Sequence, residues 1–228
     1  IQVVLKGAKA DEDAWIINDK VKASLDTQLK ALNTELATVV DAIAELPHVV
    51  AGTYDYRVES LTVDIETLTG NIALVAQAGK LVEGSYQTEV DKYARQIKKL
   101  NLDAHHSEAD KVIDEINGIC DNIAASTFDA TLKLEGIAIS AKIESLRKYN
   151  NAMVNEETNR YYTTDIDGVK IKDEYGNEIT DLGKSIDYLN EAYPAVLAKA
   201  AELNTKLNLI MMKAAKNRIG DADLDEHR

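Results

Sequence analysis

The sequence is poor in the residues that build loops and disulfide frameworks. Its 228 residues include two prolines and one cysteine, and only 5% of them are aromatic. A loop-rich fold would usually use more proline, and a single cysteine excludes an intramolecular disulfide. Cys120 shares a helical stripe with Ile116 and Ile123, so we expect a buried, inert thiol. Abundant Ala, Leu, Ile, Lys, Glu and Asp favour long helices, and we predict an all-α fold.

Basic side chains are also scarce compared with acidic ones. Lys and Arg number 26 against 39 Asp and Glu, which gives a formal net charge of −13. Phosphate binding needs clusters of Lys and Arg, so a nucleic-acid partner is excluded and anionic lipid surfaces would repel the chain. No stretch of about 18 apolar residues occurs, so we expect a soluble chain without a transmembrane segment.

Motifs for catalysis are absent as well. The sequence contains no glycine-rich phosphate loop, no nucleophile elbow and no His-Glu-x-x-His zinc motif. Its four histidines, at positions 48, 105, 106 and 227, lie outside the apolar stripes. We therefore predict a protein that is not an enzyme, with no catalytic residue and no cofactor-binding residue.

What the sequence does contain is apolar residues at every third or fourth position over four long segments. The clearest stripe runs from Val58 to Leu100, about 65 Å along a helix, and predicts a helix over residues 53–102. A break between Gly79 and Gly84, with Ser85 as a new N-cap, is the alternative. The other three segments are residues 11–46, 107–157 and 181–219, the last with a kink or a restart at Pro194.

These four stripes predict one architecture. Each stripe is too narrow to be stable alone, so the helices must share a core. We predict an elongated antiparallel bundle of about four long coiled-coil-like helices over residues 11–219. Stripes of this kind also pair helices of different chains, so an oligomer formed through the helical seams stays an alternative.

Three segments depart from the helical pattern. Residues 1–10 predict an extended N-terminal arm that ends near Gly7. Residues 160–180 combine β-prone positions, an Asp167-Gly168 turn and an alternating apolar and charged run. They predict a small β-hairpin inserted between helices three and four. Residues 220–228 form an acidic tail that could open a following module.

Alternate carboxylates in this tail resemble a known metal-binding loop. Asp221, Asp223 and Asp225 are spaced like positions one, three and five of the calcium loops of EF-hands and dockerin modules. Glu226 stands where those loops have glycine, and no position-twelve glutamate follows. The three aspartates are therefore weak candidates for calcium, and no other metal ligand is expected.

The features together favour a non-catalytic structural or protein-interaction module, such as a stalk, a platform or an adhesion segment. The chain opens on Ile1 and not on Met, so we expect a processed protein or a piece of a longer one, secreted or at the cell surface. Its partner would be a protein or a surface ligand. The candidate contact residues lie in the predicted hairpin: Tyr161, Tyr162, Lys170, Lys172 and Tyr175.

Two alternatives stay open. Some pore-forming toxins are long helical bundles with a β-tongue between helices, and the position of the predicted hairpin is similar. Those tongues are strongly apolar, whereas this segment carries charges such as Asp167, Lys170 and Asp173. The other alternative is a self-assembling structural protein whose apolar seams pair between chains.

Overall fold

The described part of the chain folds into helices. A computed structural model describes the backbone of residues 2–125, 129–152 and 182–226. These residues form five α-helices and one short 3-10 helix, Ala51–Thr53, with no strand among them. The predicted all-helical bundle is confirmed, although the described residues contain five α-helices instead of four. They are α1 (Gln2–Glu45), α2 (Asp55–Gln77), α3 (Gln87–Ala125), α4 (Ala130–Ala152) and α5 (Leu182–Glu226).

The helices divide between two compact units. The N-terminal unit comprises residues 1–101 and the C-terminal unit residues 102–228. Helix α3 contributes to both, because the division falls at Asn101, inside its span. The N-terminal unit therefore holds α1, α2 and the first part of α3, and the C-terminal unit holds the rest of α3 with α4 and α5.

In the N-terminal unit, α2 runs back along α1. The chain leaves α1 at Glu45, where the following Leu46-Pro47 pair disfavours further helix. At the far end of α2, Asn18 Nδ2 donates a hydrogen bond to the carbonyl oxygen of Gly79, at 3.3 Å. The predicted stripes fill this core, with these members buried: Leu25, Leu29, Leu32, Leu36, Val39, Ile43, Leu61, Ile65, Leu68 and Ile72.

Gly79 ends α2, and the predicted unbroken helix over residues 53–102 is wrong at this point. Gly79 has a φ of +66°, which L side chains rarely adopt. Its N–H donates to the carbonyl of Ala76 at 2.9 Å, and the N–H of Lys80 donates to that of Val75 at 3.1 Å. This pair of bonds is the Schellman motif, which satisfies the last carbonyls of a helix. The break near Gly79, kept as the alternative, is the one observed, but α3 begins at Gln87, so Ser85 is not its N-cap.

Two glycines of α2 should respond to alanine with opposite signs. Gly70 lies inside the helix with nothing within 4 Å of an added Cβ, so Gly70→Ala should stabilise the protein by about 0.5–1 kcal/mol. Gly79→Ala places a side chain at positive φ and should destabilise it by about 1 kcal/mol. Urea unfolding of both variants measures this. Shifts of the same sign would contradict the observed end of α2.

The predicted segments 53–102 and 107–157 leave a turn near residues 101–106 between them, and this turn is wrong because α3 continues through it. Leu102 and Ala104 are fully buried in the C-terminal unit, and this burial favours helix over a loop. The polar run around His105 and His106 suggested a connection, but two adjacent histidines on a helix can point in different directions.

The helix is interrupted instead between Ala125, where α3 ends, and Ala130, where α4 begins. Asp129 Oδ1 accepts hydrogen bonds from the N–H groups of Thr131, at 2.7 Å, and Leu132, at 3.4 Å. These bonds hold the pKa of the Asp129 carboxyl below its ordinary value, with the Thr131 N–H as the main cause. Asp129 is therefore the N-cap of α4, and the predicted continuous helix over residues 107–157 is wrong.

The two ends of the chain differ from prediction as well. Helix α1 begins at Gln2, so residues 2–10 are helical and not an extended arm. Adding a residue to an existing helix costs little, even for a single Gly7 or a β-branched residue. Helix α5 runs unbroken past Pro194 to Glu226, so the tail is helical as far as that residue. The hairpin predicted for residues 160–180 lies outside the described residues.

The C-terminal unit packs three helices in alternating directions. Arg147 of α4 forms an ion pair with Asp114 of α3 at 2.8 Å, and Gly136 of α4 lies beside Ile123 of α3, so these helices are antiparallel. Lys213 of α5 lies 4.0 Å from Glu135, near the start of α4. The predicted α5 stripe is confirmed as core, with these members buried: Ile186, Leu189, Tyr193, Val196, Ala200, Leu203, Leu207, Ile210 and Ala214.

Candidate functional site

The residues predicted to form sites divide into two groups. The candidate partner contacts, Tyr161, Tyr162, Lys170, Lys172 and Tyr175, lie outside the described residues. The weak calcium candidates Asp221, Asp223 and Asp225 lie in α5, whose backbone is helical there and not the loop that an EF-hand uses. Within the described part of the chain, no group of three His, Cys, Asp or Glu side chains could hold a metal ion.

A buried polar cluster joins the three helices of the C-terminal unit. Asn150 of α4 is fully buried, and its Nδ2 donates to the carbonyl oxygen of His106 in α3, at 3.2 Å. The ring of His105 in α3 stacks on Tyr193 of α5, with ring centroids 4.0 Å apart and planes at 21°. Glu108, one turn after His105, is also buried. We call these residues the polar cluster.

Burial keeps the aromatic members of the polar cluster neutral. The pKa of His105 is lowered to about 4, because burial disfavours the charged imidazolium. The pKa of Tyr193 is raised, mainly by burial and secondarily by the nearby Glu108 carboxylate. At neutral pH a neutral imidazole therefore stacks on a neutral phenol.

The polar cluster is better suited to fixing the helices than to chemistry. Asn150 Oδ1, His105 Nδ1 and the Tyr193 hydroxyl are buried without a hydrogen-bond partner among the described residues. Buried polar atoms of this kind cost free energy, and any shift of one helix changes their surroundings. The Asn150 hydrogen bond links α4 to α3 and the ring stack links α3 to α5, so the cluster connects the three helices.

A different feature lies on the outside of α4. Leu134 is 67% exposed and Ile137 58% exposed, whereas Ile139 and Ile143 of the same helix are buried. Ala130 and Ala141, at the matching three- and four-residue steps, are exposed too. Helix α4 thus carries two apolar faces, one in the core and one outside. We call the outer face, formed by Ala130, Leu134, Ile137 and Ala141, the α4 surface.

The α4 surface borders a groove between α3 and α4. The groove has a volume of about 390 Å³, and its walls include Cys120 and Ala124 of α3 with Ile137, Ser140 and Ala141 of α4. The helices approach closely where Gly136 faces Ile123 in its wall, since a Cβ on Gly136 would lie 2.9 Å from Cγ2 of Ile123.

The thiol beside this groove is not activated. Cys120 is 4% exposed, and burial, with a further contribution from Asp121, raises its pKa. A thiol with a raised pKa carries little of the thiolate form that reacts with electrophiles. The groove and the α4 surface therefore offer shape and apolar contact, and not a nucleophile.

Sequence reasoning assigned the α4 surface to the core. Taken as one helix, the predicted segment 107–157 places Ile123, Ala130, Leu134 and Ile137 on a single apolar stripe. The structure has two helices there, so the phase does not carry over from α3 to α4. The change of phase at Ile139 and Ile143 was visible in the sequence and was the usable signal.

Comparison of the chain with protein-family models, with curated proteins and with solved structures finds no match. Among the described residues, none of the helices combines the length and apolar character needed to cross a bilayer. The proposed function therefore rests on the geometry of the chain itself.

Proposed function

We propose that the chain is a non-catalytic structural or protein-interaction module, a stalk, platform or adhesion segment of a larger secreted or cell-surface protein, and that the α4 surface meets its protein partner. The observation that carries this is the exposure of Leu134 and Ile137 side by side on a well-packed helix. Adjacent large apolar side chains on an otherwise polar surface are typical of interaction sites.

The surroundings of the α4 surface support contact with a protein. Both signs of charge lie beside it, with Lys133 and Glu144 in the adjoining groove, although the whole chain has a net charge of −13. Mixed charge around an apolar centre is the usual composition of a protein-binding rim. The hairpin predicted for residues 160–180 and the coiled-coil pairing of the helices belong to this proposal as further contact elements.

Self-assembly is the second candidate function. The exposed positions on α4 follow steps of four, three and four residues, which is the spacing of a coiled-coil seam. A seam of this kind can pair with a copy of itself as readily as with another protein.

Site-specific photo-crosslinking tests whether the α4 surface contacts a protein. The full chain, with Leu134 replaced by benzoylphenylalanine, is added to intact cells and secreted medium of its source and irradiated. We expect a covalent adduct that contains a second polypeptide. Its mass shows whether that polypeptide is another copy or a different protein.

The matched control places the same crosslinker at Leu74 of α2. Leu74 is 66% exposed, almost the same as Leu134, but lies in the N-terminal unit. Equal adducts at both positions, or none at position 134, would overturn the proposed function.

A further inference from the structure

Helices α4 and α5 run antiparallel, and an ion pair marks the place where their outer sides meet. Tyr193 of α5 and Asn150 of α4 both contact the same turn of α3. Further along α5, Lys213 lies 4.0 Å from Glu135, near the start of α4. A groove therefore runs between the two helices on the outside of the C-terminal unit. We call it the α4/α5 groove.

Three large apolar side chains lie along the α4/α5 groove. At about 100° per residue, Leu134 lies about 100° round α4 from Glu135, on the side away from the buried face. On α5, Leu209 and Met212 lie about 40° and 100° from Lys213, also away from the buried face. The three side chains are 67%, 52% and 68% exposed. The apolar area that begins at Leu134 thus continues across the groove onto α5.

Lysines dominate the charge of the α4/α5 groove. Over residues 130–147 of α4 and 199–218 of α5, the acidic side chains within about 60° of the ion-pair residue on each helix are Glu135 and Glu202. Five lysines lie in the same sectors: Lys142, Lys199, Lys206, Lys213 and Lys216. Glu202 already pairs with both Lys199, at 3.0 Å, and Lys206. The groove is therefore basic, although the whole chain has a net charge of −13.

The local charge decides which occupant fits the groove. The Debye length is about 8 Å at physiological ionic strength, so acidic residues farther away contribute little to binding there. Two packed helices with apolar side chains along the groove between them offer the surface on which a further amphipathic helix packs. Lysines along such a groove favour a helix whose flanks are acidic.

From this combination of apolar and basic side chains we infer that the protein partner binds through an acidic amphipathic helix that lies along the α4/α5 groove. Its apolar face covers Leu134, Leu209 and Met212, and its carboxylates pair with the lysines. The inference rests on the proposed function and names the chemistry of the partner. Because the apolar area is small, the isolated helix should bind weakly, with a Kd on the order of 10–100 μM.

Two synthetic peptides of about 18 residues, or about 27 Å of helix, test this chemistry. Both carry leucine at three- and four-residue steps, and the flanking positions hold glutamate in one peptide and glutamine in the other. Fluorescence anisotropy with the purified full chain should show the glutamate peptide binding about tenfold more tightly than the glutamine peptide. Equal affinities would overturn the inference.

Paired variants of the full chain test the place of binding. Lys216→Glu should weaken binding of the glutamate peptide about fivefold, whereas Lys30→Glu, the same change of net charge on α1, should alter it less than about twofold. Met212→Gln should also weaken binding about fivefold, and Leu74→Gln, at a side chain that is 66% exposed in the N-terminal unit, should not. Circular dichroism checks that each variant is folded. Equal effects within either pair would contradict the assigned groove.

An anionic membrane is the other occupant that a basic, apolar groove could bind. Vesicles of equal parts phosphatidylserine and phosphatidylcholine, added to the complex of wild type with the glutamate peptide, should leave the peptide bound. Displacement of the peptide by these vesicles would replace the acidic helix by a lipid surface and overturn the inference.

Crosslinking separates this inference from the proposed function. Benzoylphenylalanine at Met212 should attach to the same polypeptide as benzoylphenylalanine at Leu134, because one helix covers both positions. An adduct at position 134 without one at 212, or an adduct with a second copy of the chain, would leave the proposed function standing and overturn the inference. No adduct at position 134 would remove both.

Discussion

Leu203→Asp will unfold the C-terminal unit. Leu203 is fully buried in the middle of the α5 stripe. The substitution removes a large apolar side chain from the core and buries a carboxylate without a compensating charge. We expect a loss of about 4 kcal/mol or more in the free energy of unfolding, and a melting temperature lower by more than about 10 °C.

Leu209→Asp is the matched control for this prediction. Leu209 lies six residues further along the same helix and is 52% exposed. Its replacement should change the free energy of unfolding by no more than about 0.5 kcal/mol. Thermal unfolding followed by circular dichroism, with hydrogen exchange of α3 peptides, compares the two. Similar losses in both variants would mean that the core face of α5 is assigned wrongly.

Acid will weaken the C-terminal unit through His105. The pKa of this side chain is lowered from 6.5 to about 4 in the folded protein, so the folded state favours the neutral ring. Its contribution to stability is complete above pH 6.5 and is lost as the pH falls towards 4, because only the unfolded chain binds the proton in that window. The full pKa shift corresponds to a change of about 3 kcal/mol in the free energy of unfolding. Solvent reaches part of the ring, so we expect roughly half of that.

The difference between wild type and His105→Phe isolates this effect from the other titrating groups. Phenylalanine keeps a ring to stack on Tyr193 but binds no proton. Urea unfolding at several pH values should show wild type losing about 1.5 kcal/mol relative to His105→Phe between pH 6.5 and 4. His106→Gln, at the neighbouring position, should keep the slope of wild type. Parallel pH profiles for wild type and His105→Phe would refute the prediction.

The core stripes could be predicted from sequence because burial repeats at the helical period. The α1 stripe from Leu25 to Ile43 and the α5 stripe from Ile186 to Ala214 are buried as predicted. Each lies within a single unbroken helix, so every member keeps the same phase relative to the core.

The connections were harder to predict because few residues decide them. Gly79 ends α2 through its positive φ and Asp129 caps α4, yet the apolar pattern continues in phase past both positions. The pattern therefore supported longer helices than the chain forms. Conversely, the polar residues near His105 suggested a turn where α3 is continuous.

The outer face of α4 was missed for the same reason. A stripe drawn through Ile123 and Leu134 treats α3 and α4 as one helix, and assigns to the core the side chains that the structure places outside. The polar cluster was missed because its members come from three helices that no local pattern connects. About 40 positions separate its residues in α3 from Asn150 in α4, and a similar number separates Asn150 from Tyr193 in α5.

The central claim is that α4 turns Ile143 into the core and Leu134 outwards. Thiol labelling tests it directly, with Cys120→Ala as background and Leu134→Cys or Ile143→Cys added. We predict that the thiol at position 134 reacts almost as fast as in an unfolded peptide. The thiol at position 143 should react at least about 100-fold more slowly, because it must wait for the helices to open. Equal rates, or the reverse order, would contradict the assignment of the α4 surface and the proposals built on it.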